Sequence, residues 1–423
     1  MKAQKVQTIG VEVILIMVWL LSIATPVRAE YKSSEQITVS GIVRDKVSKK
    51  KLEYVNISVP GSNVGTVTNG DGAFSLLIQR SAQAQMVEIS HVGYVNSQLK
   101  LNGTDLLDQE IWLTPYVNLL SEVTVRGQSP LFIVQEAIRR IPVNYSTTES
   151  RMTGFYREIA QKGRRYINIS EAVVDVYKTA YSESLTKDRV QIDKGRRLVS
   201  QKESDTLAVK LLGGPTIFIY LDIVKNPDFI LDPEALSDYH FTMEEPTSID
   251  NRAQFVINFQ PRVVHPYALC YGKLYIDQER LSFTRAEFSL SLDDKNKATQ
   301  VILKRKPFGL RFKPLEVSYL VTYKNRDGVT YLNYVRNNLR FKCDWKRKLF
   351  STTYTVLSEM VVTDRQESPA VPIPFKTSFK PNQVFSDRVD DFVNEDFWKG
   401  YNIIAPTESL ENAVAKLKKK QQK

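Results

Sequence analysis

Along most of this chain apolar and polar residues alternate with a period of two, the pattern of strands that bury one face. The first such stretch covers residues 37–115. Ile37–Val43, Tyr54–Val59, Gly65–Thr68, Phe74–Ile78, Met86–Val92, Gln98–Leu101 and Glu110–Leu113 are short and separated by turn-forming residues. In the second of these, Val55, Ile57 and Val59 share a face. Strands this short and this close predict a small β-sandwich. Asn69-Gly70-Asp71-Gly72 carries two hairpin signals in tandem and predicts a hairpin.

A second β-rich stretch fills the C-terminal half. Gln254–Phe259, Gly272–Asp277, Leu281–Leu290, Val317–Tyr323, Tyr331–Val335, Leu339–Cys343 and Phe350–Val362 alternate, with Asp327-Gly328 as a turn. One face of each is rich in Tyr, Phe and Val. A long antiparallel sheet of this kind curls to bury that face, and around a helix it becomes an open half-barrel. Helical spacing is confined to 131–141 (Leu131, Val134, Ile138, Ile141, with Pro130 in the first turn) and to 409–417 (Leu410, Val414, Leu417).

The N-terminus changes the picture of where this chain works. Lys2 and Lys5 precede an apolar run from Val13 to Ala24, and Val27-Arg28-Ala29 offers small residues before Glu30. This reads as a secretory signal, since about a dozen apolar residues fall short of the ~20 that span a bilayer. With 423 residues, the chain predicts more than one domain. The formal charge is +11, and residues 301–350 hold thirteen Lys and Arg against three acids. For an exported chain, nucleic acid is a poor partner. Anionic contact is expected at Lys304, Arg305, Lys306, Lys346, Arg347 and Lys348 and at the tail residues Lys418, Lys419 and Lys420. The solvated face of a sheet is the competing reading.

Chemistry-bearing residues are sparse. The chain has two Cys and three His, too few for cysteine-rich zinc modules or a multi-histidine metal centre. Cys270 and Cys343 leave two readings open, a disulfide or two buried thiols. No nucleophile elbow, phosphate loop or dinucleotide fingerprint occurs. No catalytic residue, cofactor or metal ligand is expected. A carboxylate-dependent glycan hydrolase is the alternative, and it would rest on Glu158, Glu171 and Asp175.

Several segments carry a resemblance. Val39–Asp45, Val55–Gly61, Gly65–Phe74 and Ile89–Tyr94 together resemble the carboxypeptidase-regulatory-like domain. The resemblance implies a seven-stranded, transthyretin-like sandwich that acts as an accessory module. It implies no peptidase activity, because His91 is followed by Val92, Gly93 and Tyr94 rather than by a His-x-x-Glu motif. Leu119–Gly127 is similar to the segment that links this module to the plug of TonB-dependent receptors, although too few residues follow for plug and barrel. From Ala137 onward, segments such as Gly154–Glu158, Glu171–Tyr177 and Leu221–Asn226 resemble uncharacterised proteins with the same N-terminal module. The aromatic-faced sheet looks like the periplasmic lipoprotein-carrier fold, which cups hydrophobic chains.

The expected fold is mainly β: a seven-stranded sandwich, then a larger α+β domain with a curved, half-barrel-like antiparallel sheet. Expected boundaries are a signal peptide (1–29), the sandwich (30–117), a linker strand and helix (118–150), a β-rich domain (151–395) and a C-terminal helix with a basic tail (396–423). The expected function is non-enzymatic binding of a protein or apolar ligand in the periplasm or at the outer membrane, peripheral rather than transmembrane. An accessory role in TonB-dependent uptake stands beside the hydrolase as an alternative.

Overall fold

Seven strands follow the first alternating stretch: β1 (Gln36–Asp45), β2 (Asn56–Ser58), β3 (Gly65–Val67), β4 (Ala73–Gln79), β5 (Met86–Ser90), β6 (Ser97–Lys100) and β7 (Leu106–Leu113). They form a three-stranded sheet in the order β4-β1-β7 and a four-stranded sheet in the order β3-β2-β5-β6. The inward positions Val39, Val43, Val55, Ile57, Leu76, Ile78 and Ile89 make a shared core. This is the seven-stranded sandwich that the resemblance implies. The structure is a computed structural model and describes residues 35–116, 129–202, 209–211, 214–345, 351–391, 398 and 400–421. The expected signal segment, the Leu119–Gly127 linker strand and Lys346, Arg347 and Lys348 lie outside the described residues.

Asn69–Gly72 differs from expectation. The turn forms, with Gly72 N–H donating to Asn69 O at 3.0 Å, but β3 and β4 belong to different sheets, so it is a crossover rather than a hairpin. The Asn69 side chain explains the difference. Its Oδ1 accepts from Asp71 N–H (2.8 Å) and Ala73 N–H (3.0 Å), while its amide donates to the carbonyls of Ala405 (3.1 Å) and Pro406 (2.8 Å). The turn therefore grips the C-terminal segment.

The remaining chain adds β8 (Ser150–Lys162), β9 (Arg165–Lys178), β10 (Arg189–Val199), β11 (Lys210–Leu211), β12 (Tyr239–Ile249), β13 (Arg252–Pro261), β14 (Cys270–Asp277), β15 (Phe283–Leu290), β16 (Leu303–Arg305), β17 (Leu310–Arg326), β18 (Val329–Trp345), β19 (Thr352–Gln366) and β20 (Asp390–Asp391). Among the described residues five α-helices accompany them: α1 (Pro130–Arg139), α2 (Ile141–Asn144), α3 (Ile217–Tyr220), α4 (Lys295–Ile302) and α5 (Glu408–Gln421). Eleven strands make one open sheet in the order β12-β13-β14-β15-β17-β18-β19-β8-β9-β10-β20. All neighbours are antiparallel except the short β20, which runs parallel to β10. Its longest hairpin joins β17 and β18, 17 residues each, through Asp327 (φ 51) and Gly328 (φ 89). Positive φ at both central residues is the turn that Asp-Gly favours.

Both faces of this sheet are covered. The inner face buries Val174, Leu274, Val321, Val335, Phe341 and Met360 against α1, α3 and α4. The outer face meets the sandwich and Trp398, Ile403 and Ile404 through Phe155, Leu320, Tyr334 and Val361, and meets α5 through Ile159, Ile169 and Leu198. Residues Gln36 onward form one compact unit. Among the described residues, no helix is long and apolar enough to cross a membrane.

Gly41 shows how tight the sandwich is. A Cβ there would lie 2.0 Å from Gln109 O of β7. Main chain cannot yield as a flexible side chain does, so Gly41→Ala is expected to destabilise the protein by about 2 kcal/mol. Chemical denaturation of the variant checks this, with the sandwich core as the site of loss.

Candidate functional site

Residues 214–238 cross the inner face of the sheet, and buried charge fixes them there. Asp222, fully buried, meets Lys178 Nζ of β9 at 2.6 Å. Its other oxygen accepts from Tyr323 OH of β17 at 2.8 Å and from Lys225 N–H at 3.3 Å. Lys225 Nζ donates to Thr179 O (3.1 Å), Thr179 Oγ1 (2.9 Å) and Ala180 O. Asp188 completes the group, accepting from Thr179 N–H at 2.9 Å and lying 3.8 Å from Lys178 Nζ. Tyr145, Tyr181 and Tyr323 pack around it, with ring centroids of the first two 4.9 Å apart. Burial pulls the Lys225 ammonium down to about 8, against the pull of Asp188. Two cations and two anions balance in a water-poor space, the condition under which buried charge is tolerated.

Held this way, the segment roofs a cavity of about 370 Å³ above the middle of β17 and β18. This lies within the ~300–1,000 Å³ range of small-molecule sites. Its apolar walls are Ile217 and Leu221 of the roof, Phe229, Val301 and Ile302 of α4, and Val317, Tyr319 and Leu339 of the sheet. Thr216, Asn226 and Asn337 supply the few polar groups. Asn337 Oδ1 is buried and has no hydrogen-bond partner among the described residues. An acceptor in that position matches a ligand's hydroxyl or amide donor.

The residues picked out from sequence fall elsewhere. Lys304 and Lys306 are exposed near the start of β17, and Lys304 Nζ donates to Asn382 O at 3.2 Å. Arg305 pairs through its backbone with Lys210. On α5, Lys418 is half-buried and Lys419 exposed, and Lys420 is helical. Cys270 and Cys343 are separate buried thiols, which corrects the disulfide reading. They sit on β14 and β18, with β15 and β17 between them. At ~4.8 Å per strand step that separation exceeds the ~7 Å Cα limit for a bridge. Burial pushes Cys270 up to about 12 and Cys343 to about 11.

The three carboxylates do not converge. Glu171 lies on the outer face; burial, the largest single effect, pushes its carboxyl up, but Arg157 (2.8 Å) and Arg196 (2.9 Å) together outweigh it and hold the group below its ordinary value. Asp175 shares that face and pairs with Arg151 at 2.7 Å. Glu158 points inward, accepting from Tyr156 OH at 3.1 Å. No group of three His, Cys, Asp or Glu among the described residues is placed to hold a metal. Sequence reading missed the cavity walls, although Leu221–Asn226, singled out by resemblance, proves to be the roof.

Residues 39–125 match the CarboxypepD_reg-like domain family. No curated protein matches the chain in sequence. Among solved structures it resembles a DUF1329 family protein from Desulfovibrio piger, at 11% identity over 58% of this chain and 95% of that one, with a TM-score of 0.25. It also resembles a putative outer membrane lipoprotein-sorting protein domain from Vibrio parahaemolyticus, at 12% identity over 57% and 93%, with a TM-score of 0.26. A LolA superfamily protein from Nitrosomonas europaea gives 12% identity over 58% and 97%, with a TM-score of 0.21. At those scores the likeness carries no weight for function.

Two predictions arise from the buried groups. Asp222→Ala strands Lys178 in the interior and is expected to cost about 3 kcal/mol of stability, measured by urea denaturation. Burial pushes Glu158 up to about 7 from 4.5, with the Tyr156 hydrogen bond opposing. The folded protein therefore holds this proton to higher pH than the unfolded chain, and the carboxylate weakens folding as pH rises from 4.5 to 7. Glu158→Gln should melt above the parent protein at pH beyond 7, with the gap closing below 4.5.

Proposed function

We propose that this protein is a non-enzymatic binding protein of the cell envelope. Its half-barrel holds an apolar, chain-like ligand between the 214–238 roof and the β17–β18 hairpin. The observation that carries this reading is the apolar cavity of about 370 Å³ with the partnerless Asn337 Oδ1 on its wall. The secretory-type N-terminus supports the compartment. In this reading the sandwich is an accessory module, packed against the outer face and remote from the ligand. The hydrolase alternative loses its basis, because Glu158 faces inward while Glu171 and Asp175 face outward.

The test uses the full chain and the fluorescent fatty acid dansyl-undecanoic acid. The parent protein should bind it with enhanced, blue-shifted emission. Leu339→Trp fills the cavity from the sheet side and should weaken binding at least about tenfold, the equivalent of 1.4 kcal/mol. Asn337→Leu removes the acceptor and keeps the volume, so it should retain the apolar probe. A parent protein that fails to bind the probe, or a folded Leu339→Trp variant that binds as well as the parent, would overturn the proposal.

A further inference from the structure

The pairing registers place the connections of the large sheet at two ends. One end carries the Asp327-Gly328 turn and the Asp250-Asn251 turn, and the sandwich sits there. Gly93 N–H donates to Ser248 O at 2.8 Å, and Asn96 N–H donates to Asn251 Oδ1 at 2.9 Å. At the other end Leu310 pairs with Trp345, Tyr354 with Lys162, and Lys162 with Arg165. Around the start of β17 this second end is basic, and the acids that precede it, Asp293 and Asp294, bond Ser291 and the first turn of α4. Arg164, Lys306, Arg311 and Lys342 are exposed there, and residues 295–315 contain no acid. Lys313 is already matched by Asp344 at 2.8 Å.

At the tip of this end stands Phe308, 100% exposed. It sits in the turn before β17, between exposed Pro307 and Gly309 (φ +81). No other large apolar side chain among the described residues is as fully solvated, and Lys306 and Arg311 flank this one in sequence. An aromatic side chain amid unpaired basic charge matches the headgroup region of an anionic bilayer, where the ring leaves water and the cations meet lipid phosphates.

We propose that this end of the sheet docks on an anionic lipid bilayer, with Phe308 entering the interface and Lys306 and Arg311 contacting headgroups. The docking does not depend on what fills the cavity. It does place the cavity wall beside the bilayer: Val301 and Ile302 line the cavity, and the same chain continues through Lys304 to Phe308. Lys304 also bonds the carbonyl of Asn382, next to the cavity-lining Pro381.

The buried native thiols permit a clean test. Full-length Phe308→Cys is labelled with a polarity-sensitive bimane and mixed with phosphatidylglycerol vesicles, with Val47→Cys on the sandwich as the exposed control. The label at 308 should shift to the blue on phosphatidylglycerol and not on phosphatidylcholine, while the label at 47 stays unchanged. Added salt should reverse the shift. Lys306→Gln and Arg311→Gln in the labelled chain should each weaken binding about 5-fold, and Phe308→Ser about tenfold in sedimentation. No shift at 308, an equal shift at both sites, or an equal shift on neutral vesicles would overturn the proposal. Phe308 contributes nothing to the core, so loss of folding does not confound these variants.

Discussion

The ion pair between Lys178 and Asp222 decides where the interior of the larger sheet is filled and where it is hollow. Lys178 ends β9, Tyr323 lies near the end of β17, and Asp222 belongs to neither strand. By binding both, Asp222 fastens the 214–238 segment across the inner face at the sandwich end. A carboxylate removed from water holds its cation and its hydroxyl donor with little freedom, because any departure leaves a charge unsolvated. Hydrophobic contacts alone would let this segment slide toward the sheet and close the gap. With its anchor fixed by charge, the apolar part of the segment spans the cavity instead of collapsing into it.

The outer face is organised by a second buried network. Arg157 donates to Glu171 at 2.8 Å and to Ile404 O at 2.8 Å, and Trp398 Nε1 donates to Glu171 at 3.1 Å. Tyr334 OH donates to Glu359 at 2.9 Å. The last bond ties β18 to β19, and the others fasten Trp398 and Ile404 to the sheet. Asn402 adds a stitch, accepting from Leu77 N–H at 2.7 Å and donating to Leu77 O at 3.0 Å. The sandwich is thus held through the C-terminal segment as well as by its own contacts. Glu171, one of the carboxylates that look catalytic in the bare sequence, proves to be part of its mortar.

Much of this architecture was legible in the alternation of side chains. The sandwich strands, the β17–β18 hairpin and its Asp-Gly turn follow from patterns that depend on one face meeting water. The strands β8, β9 and β10 were not assigned, for a physical reason. In β9, Glu171 is as buried as Ala172, because α5 and the C-terminal segment cover the outer face that would otherwise be solvated. Alternation vanishes when both faces are buried, and charged residues then appear at core positions. The cavity was invisible for a related reason. Its walls come from α3, α4 and the β17–β18 hairpin, three pieces far apart in sequence, and a wall residue such as Val317 or Leu339 reads as ordinary core.

Basic charge was legible too, but not its division of labour. A count along residues 301–350 treats every Lys and Arg alike. In the folded chain Lys313 serves Asp344 and Arg340 serves Glu316, so these charges are spent within the sheet. Lys306 and Arg311 have no carboxylate partner among the described residues, and they flank the wholly exposed Phe308. Charge density therefore marked the region, whereas register marked the end of the sheet on which the unmatched part gathers. The sandwich covers one end and the cations crowd the other, leaving the hollow between them. That polarity gives this unit a direction: a scaffolded end, a cavity roofed by buried charge, and an exposed basic end carrying the fully solvated Phe308.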